Sequence, residues 1–191
     1  MPTGVHIRDA REQLFEAAER VLQQAGPNAL TSRAVTEEAG VAKGVLHRHF
    51  SDFDDFLAEL VIDRVHRMEA DAAALRESAG SGTVADNLAE ALTELFGSVA
   101  SAVVALLIFR DELRARLRER WPTGVPLLTE SAAMIAGYLA AERDLGRIEP
   151  GADVDTLAPT LIGATHMLFA DRAAPPSAEA VRKAIRAVLG Q

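Results

Sequence analysis

The stretch that decides the fold is residues 30–50, LTSRAVTEEAGVAKGVLHRHF. Thr31 or Ser32 is suited to cap a short helix over residues 33–39, because a hydroxyl oxygen accepts a hydrogen bond from an N–H of the first turn. A glycine then interrupts the helix, and a second short helix is expected over residues 42–49. Two short helices joined by a tight glycine turn form a helix-turn-helix, whose second helix enters the major groove of DNA.

The charge distribution favours DNA contact at this place. The chain has a formal net charge of −8, which by itself disfavours a nucleic-acid partner. Residues 1–50 are balanced, with six basic and six acidic groups, so the negative excess lies in residues 51–191. Within residues 41–50, Lys43, Arg48 and two histidines occur without any acidic residue. An acidic body with one small basic face would restrict DNA to that face.

The rest of the sequence has helical periodicity and lacks the alternation typical of strands. An apolar stripe marks a first helix over about residues 8–25. We therefore predict an all-α fold with an N-terminal three-helix helix-turn-helix domain at residues 1–50 and a C-terminal helical domain at residues 51–191. Residues 84–120 must contain at least two helices, separated near residues 97–101 or at Arg110. The later helices are expected at about residues 52–77, 84–120, 126–144, 153–170 and 177–189.

Other classes of protein are disfavoured by what the sequence lacks. There is no cysteine, so neither a disulfide framework nor a thiolate metal site is available. No apolar signal segment is visible at the N-terminus, and the longest apolar run, residues 102–109, is too short to cross a membrane. We therefore expect a cytoplasmic protein without a membrane partner. His66 and His166 are isolated in the sequence and no catalytic motif is present, so no metal, no cofactor and no enzymatic activity are expected.

The N-terminal sequence resembles the DNA-binding domain of the TetR family of transcriptional regulators over about residues 7–57. The resemblance rests on these residues at the family's spacing: Leu14, Phe15, Ala17, Ala18, Gly26, Leu30–Ser32, Val35, Ala39–Val41, Gly44, Leu46, His49 and Phe50. It implies a homodimer that represses transcription from a palindromic operator in double-stranded DNA and is released by a small-molecule effector. The C-terminal domain would then sense the effector and form the dimer.

The resemblance also implies three groups of DNA contacts. The start of the first helix of the motif would bind phosphate or a guanine edge through Thr31, Ser32 and Arg33. The front of the second helix would face the major groove with Lys43, Gly44 and Val45. The remainder of that helix would contact phosphates or adjacent bases through His47, Arg48 and His49.

Three positions depart from the family pattern. Ala42 stands where a small hydroxyl residue usually caps the recognition helix, and His47 replaces a tyrosine that contacts phosphate. At the start of the fourth helix, Phe53 replaces a phosphate-binding lysine and has acidic neighbours. Ser51 and Asp54 have the spacing of a capping box that would open this helix. We expect weaker nonspecific DNA affinity than is usual in the family, with strong salt dependence.

The C-terminal domain is expected to contain an effector pocket and a dimer interface. Pockets are largely apolar with a few polar groups, so the candidates are the bulky residues Phe96, Phe109, Met134, Tyr138 and His166. A long apolar stripe over residues 153–170, together with the final helix, predicts a four-helix interface between two subunits. The candidates there are Leu161, Ile162, Gly163, Ile185 and Val188.

Some alternatives stay open at this point. The run from Arg110 to Arg120 contains five arginines, and pairs such as Glu112 with Arg116 fit a solvated, ion-paired helix face or a second nucleic-acid patch. A constitutive DNA-binding repressor that senses no small molecule fits the sequence equally well. A helical enzyme or small-molecule carrier is a further alternative, against which the missing catalytic motifs count.

Overall fold

The computed structural model describes residues 7–97, 100–171 and 174–190, and these residues are helical wherever they have regular structure. A single 3-10 turn, Pro27–Ala29, follows the first helix. The α-helices, in chain order, are α1 (Ile7–Ala25), α2 (Ser32–Glu38), α3 (Leu46–His49), α4 (Phe53–Glu77), α5 (Val84–Gly97), α6 (Ala100–Phe109), α7 (Asp111–Leu117), α8 (Leu128–Asp144), α9 (Val154–Phe169) and α10 (Ala178–Leu189).

The helices are grouped into two compact units. The first unit comprises residues 1–64 and 99–125, and the second comprises residues 65–98 and 126–191. The long helix α4 therefore begins in the first unit and ends in the second. The first unit also contains α6 and α7, in addition to the three helices expected at the N-terminus.

The first unit has a core of aliphatic side chains. Leu14 and Leu22 of α1 are fully buried, and α1 packs against α2 and α6. Helix α7 is anchored by Leu113 and Leu117, which are 0% and 3% exposed and lie one turn apart. The only tryptophan of the chain, Trp121, follows α7 and belongs to this unit.

The second unit is a bundle in which α8 packs against α9, α9 against α10, and α10 against α5. Four of its core residues, Leu88, Ile135, Leu161 and Ile185, are fully buried. The only tyrosine of the chain, Tyr138, lies in the same core and is also fully buried. This unit supplies most of the region that the sequence analysis assigned to sensing and dimer formation.

Side-chain caps define the ends of the last two helices. The Asp153 carboxylate accepts hydrogen bonds from the Thr156 hydroxyl at 2.7 Å and the Thr156 N–H at 3.2 Å, and these bonds hold the pKa of Asp153 below its usual value. Ser177 Oγ accepts from the Ala180 N–H at 3.2 Å. At the other end of α10, Gly190 has a φ of 72°, a left-handed conformation that glycine adopts without strain.

Helices are separated at both of the positions that the sequence offered as alternative breaks within residues 84–120. Helix α5 ends at Gly97 and α6 begins at Ala100, and the two residues between them lie outside the described chain. Arg110 is extended, with φ −120° and ψ 98°, and separates α6 from α7.

Among the described residues, no single helix is long and apolar enough to cross a membrane. The bent pair of α5 and α6 meets the requirement, by length and composition alone.

Candidate nucleic-acid interface

The first helix of the helix-turn-helix has the cap that its sequence indicates. Thr31 Oγ1 accepts a hydrogen bond from the Ala34 N–H at 3.1 Å, and α2 begins at the next residue. The helix ends at a tight turn in which Gly40 has a φ of 66°. Gln13 of α1 fixes this end, because its Nε2 donates to the Ala39 carbonyl oxygen at 2.8 Å.

The recognition helix is shorter than the sequence indicated. Regular α-helix begins at Leu46 rather than at residue 42, and residues 43–45 form a turn. The Val45 N–H donates to the Ala42 carbonyl at 2.8 Å, a bond to the third residue back, as in a 3-10 helix. Ala42 has no side-chain oxygen to accept from the first N–H groups of an α-helix, which gives a physical reason for the late start.

Most of the side chains expected to face DNA from the recognition segment are exposed to solvent. Lys43, His47 and Arg48 are exposed, and in the described part of the chain their side chains take part in no hydrogen bond or ion pair. His49 is half-buried because its ring lies edge-on to Phe50, with 6.4 Å between ring centroids. Gly44 is exposed and Val45 is half-buried, so the basic side chains dominate this surface.

The residues at the start of α2 differ in how readily they could reach DNA. Arg33 is 79% exposed and pairs with Glu37 at 2.6 Å, which raises the pKa of Arg33 through the hydrogen bond and the charge of Glu37. The Thr31 hydroxyl accepts within its own helix, but its O–H can still donate to a phosphate. Ser32 Oγ is buried without a hydrogen-bond partner among the described residues, so a phosphate contact through Ser32 would need another rotamer.

An aromatic cluster supports the recognition helix from behind. Phe50, which ends α3, lies 5.8 Å from Phe15 and 5.1 Å from Phe56 between ring centroids. The Arg11 guanidinium lies 4.5 Å from the Phe50 ring centroid and pairs with Glu59 at 2.9 Å. These contacts tie α1, α3 and α4 together, so the position of α3 is set by buried rings.

The residue that caps α4 lies one position later in the chain than the expected capping box. Asp52, and not Ser51, accepts from the first turn, through a 2.8 Å bond between its Oδ1 and the Asp55 N–H. The reciprocal contact comes from Asp55, whose Oδ2 accepts from the Ser51 N–H at 2.8 Å. This bonding, chiefly the Asp55 N–H, holds the pKa of Asp52 below its usual value.

The acidic residues at the start of α4 are paired with arginines of the α6–α7 segment. Arg110 Nη2 donates to Asp54 Oδ1 at 2.8 Å, and Arg116 donates to Asp52 Oδ2. The expected pair of Arg116 with Glu112 is therefore not the one that forms. These pairs could not be predicted from the sequence, because their members are 56 and 64 residues apart and no local pattern links them.

The residues expected to line an effector pocket do not all lie together. Phe109 belongs to the first unit and is 84% exposed, whereas the other four lie in the second unit. There Phe96 is 5.6 Å from His166 and 5.5 Å from Phe169 between ring centroids. Phe169 is thus an aromatic neighbour that the expectation did not include.

A buried polar network surrounds Tyr138. Tyr138 Oη donates to Glu142 Oε1 at 2.6 Å, and Asn87 Nδ2 donates to Tyr138 Oη at 2.9 Å. Glu142 is fully buried and also receives the Gly80 N–H at 3.3 Å and an ion pair with Arg147 at 3.4 Å. Burial and the Glu142 hydrogen bond raise the pKa of Tyr138. The sequence signal for this pair is a tyrosine and a glutamate four residues apart, on the same side of α8.

The dimer candidates divide into core and surface residues. Leu161 and Ile185 are fully buried and Ile162 is 9% exposed, all within the second unit's own core. They pack in the core of their own unit, and their expected place in the interface stays a prediction. Gly163 is exposed, Val188 is half-buried, and both remain accessible to a partner.

The helix-turn-helix lies within a segment that matches a family model. Residues 14–60 match the model of bacterial regulatory proteins of the tetR family. This segment is therefore similar to the N-terminal domain of that family. Among curated proteins, none matches the chain.

Solved structures extend the TetR likeness to the fold of the whole chain. GusR from Salmonella enterica superimposes with a TM-score of 0.69 at 14% identity and 100% coverage of both chains. A TetR-family member from Streptomyces coelicolor gives a TM-score of 0.63 at 22% identity, covering 95% of this chain and 98% of the other. FadR from Bacillus subtilis, in complex with stearoyl-CoA, gives 0.63 at 21% identity, with coverage of 93% and 97%. At these identities the likeness shows that the chain shares the fold of these proteins.

Proposed function

We propose that the chain is a homodimeric transcriptional repressor that binds a palindromic operator and is released from it by a small-molecule effector. The observation that carries the DNA-binding part is the set of exposed side chains on the recognition segment. Lys43, His47 and Arg48 stand exposed there without ion partners among the described residues. Because no acid shares this segment, its positive charge is available to DNA.

Dimer formation is supported by an exposed face of α9. Thr160, Gly163 and Met167 are spaced three and four residues apart, are all exposed, and thus share one side of the helix. Met167 is 73% exposed, which is unusual for a large apolar side chain on a folded helix. A Cβ added at Gly163 would meet nothing within 4 Å, so another helix could approach closely. A twofold dimer would hold two recognition helices about 34 Å apart, the spacing of successive major grooves.

Effector binding is supported by a buried hydroxyl and a pair of stacked aromatic rings in the second unit. Thr165 is fully buried, and its hydroxyl has no hydrogen-bond partner among the described residues, whereas most buried polar groups are paired. The stacked rings of Phe96 and Phe169 offer an apolar surface in the same unit. An effector that binds the DNA-incompetent conformation more tightly would shift the population away from DNA.

The DNA-binding part is tested by replacing one of the two lysines of the chain at a time. Lys43→Ala should lower operator affinity by about 1–3 kcal/mol without changing the far-ultraviolet circular dichroism. Lys183→Ala is the matched control, because Lys183 is also exposed but lies on α10. Fluorescence anisotropy with an operator found by binding-site selection measures both affinities. Equal affinities for the two variants would contradict the assignment.

The dimer is tested by a matched pair of glycine substitutions. Gly163→Arg should give a monomer that no longer binds the operator tightly, because the new side chain would stand on the proposed interface. Gly151→Arg is the control, since Gly151 is also surrounded by open space. Light scattering measures the mass of each variant. A dimeric Gly163→Arg protein would place the interface elsewhere.

The effector response is tested by adding compounds to the preformed complex of protein and operator. An effector should raise the melting temperature of the isolated protein and release the operator in the same concentration range. Thr165→Val should weaken the response to that compound, because it removes the unpaired hydroxyl. A broad compound set that produces neither a thermal shift nor release would favour a constitutive repressor.

A further inference from the structure

Helix α7 places an exposed arginine near the helix-turn-helix. The helix belongs to the same compact unit, into whose core Leu113 and Leu117 are buried. Its exposed side carries two acidic residues in the first turn and two arginines in the last turn, and Arg116 makes a defined contact with the start of α4. The sequence similarity to TetR domains ends at residue 60, so this contact comes from outside the matched region.

The contact brings Arg116 close to the recognition helix. Its partner, Asp52, is the cap of α4 and is separated from His49, the last residue of α3, by only Phe50 and Ser51. The guanidinium group is therefore held near the end of the helix that is expected in the major groove. At this end of the motif the chain has Phe53 instead of a basic residue, with acidic neighbours in Asp52 and Asp54.

The guanidinium group is able to bind a further anion while it holds Asp52. The Arg116 side chain is 40% exposed, and among the described residues its one hydrogen bond runs from Nη2 to Asp52 Oδ2. A guanidinium group has five N–H donors in a planar fork, so donors remain for a phosphate, with which arginine forms paired hydrogen bonds. The other Asp52 oxygen is occupied by the Asp55 N–H, so Asp52 can orient the arginine.

We propose that Arg116 binds a backbone phosphate of the operator, so that the DNA-contact surface of this protein extends from the helix-turn-helix onto α7. This inference rests on the proposed DNA-binding function. The partner is the sugar–phosphate backbone of duplex DNA, and the contact is independent of base sequence. The guanidinium group then supplies, from α7, the positive charge that the start of α4 lacks, and it offsets the repulsion between Asp52 and the phosphate.

The test is the salt dependence of DNA binding by the full chain. Arg116→Gln should weaken binding to the operator and to a scrambled duplex by the same factor. It should also lower the slope of log affinity against log salt concentration by about one unit for each Arg116 that contacts DNA. The control is Arg186→Gln, which removes an arginine of equal exposure, 41%, that is also ion-paired but lies on α10. The control should leave the slope unchanged.

A second variant separates phosphate binding from a merely structural role. Asp52→Asn breaks the ion pair but keeps a good helix cap and the positive charge of Arg116. If Arg116 binds phosphate, Asp52→Asn should bind DNA more tightly, and adding Arg116→Gln to it should still lower the slope. If Arg116 only fastens α4, Asp52→Asn and Arg116→Gln would weaken binding alike, and the proposal would be wrong.

Two further outcomes keep this proposal distinct from the proposed function. In the first, Arg116→Gln has the wild-type slope of log affinity against log salt concentration, while Lys43→Ala still binds the operator more weakly. This result would overturn the α7 contact and leave the helix-turn-helix assignment intact. A wild-type protein that binds no duplex above background would overturn both.

Discussion

Replacing Tyr138 with phenylalanine would remove a single oxygen atom from the centre of the second unit. That oxygen donates to the fully buried Glu142 carboxylate at 2.6 Å. The remaining donors to Glu142 are more distant, the Gly80 N–H at 3.3 Å and an Arg147 guanidinium nitrogen at 3.4 Å. The ring itself is unchanged, so the variant separates the packing from the two hydrogen bonds of this oxygen, the one donated to Glu142 and the one accepted from Asn87.

The expected loss follows from the charge of the acceptor. A hydrogen bond to a charged group contributes about 1.5–3 kcal/mol, and a buried carboxylate left short of a donor costs more than an exposed one. We therefore expect Tyr138→Phe to lower the free energy of unfolding by about 2–3 kcal/mol. In a chain of this size, each kcal/mol shifts the melting temperature by about 2–4 °C, so the shift should be about 4–12 °C.

Urea unfolding followed by circular dichroism measures this loss, and calorimetry measures the melting temperature. Ser81→Ala is the control, because it removes an exposed hydroxyl whose hydrogen bond is to the Ser78 carbonyl, and it should change stability by less than about 0.5 kcal/mol. A Tyr138→Phe protein as stable as this control would refute the reasoning. A double-mutant cycle with Glu142→Gln should give a coupling energy of at least about 1 kcal/mol.

Three other outcomes are expected. Because the pKa of Tyr138 is raised in the folded state above its ordinary value of 10.0, the unfolded chain loses this proton first, and the free energy of unfolding should fall as the pH rises above that value. An ultraviolet titration should then detect tyrosinate only as the protein unfolds, and Tyr138→Phe should remove this part of the pH dependence. Ser177→Ala should destabilise the protein by about 1 kcal/mol in urea unfolding, since it removes the cap of α10. Gly80→Ala should cost more than about 1 kcal/mol in the same assay, because Gly80 has a φ of 83° and its new Cβ would lie 3.2 Å from Leu145 Cδ1.

Local sequence patterns predicted the helices well, because a helix is specified by residues within a few positions of each other. The glycine turn at Gly40 and the cap at Thr31 depend on neighbours only, and both are present. The recognition helix starts later than predicted. The prediction was made from the spacing of apolar residues, and this spacing does not show how far a missing N-cap shortens the helix. Ala42 gave a signal for this difference, because it has no side-chain oxygen where the family usually has a capping hydroxyl.

The long-range contacts could not be predicted in the same way. Asn87 reaches Tyr138 across 51 residues, and Gly80 reaches Glu142 across 62, and a single sequence contains no signal that joins such pairs. The dimer candidates show the same limit, because an apolar stripe on a helix does not say which side faces its own core. Leu161 and Ile185 are buried in that core, whereas Gly163 and Met167 are exposed.

The distribution of the two largest chromophores has a practical consequence for spectroscopy. Trp121 lies in the first unit and Tyr138 in the second, and the chain has no other tryptophan or tyrosine. Excitation at the red edge of the absorption band selects the indole and therefore reports on the unit that contains the helix-turn-helix. Difference absorption of the phenol reports on the other unit. The unlabelled, unmutated protein thus carries a separate optical probe in each unit, and the two melting curves reveal directly whether the units unfold together or one after the other.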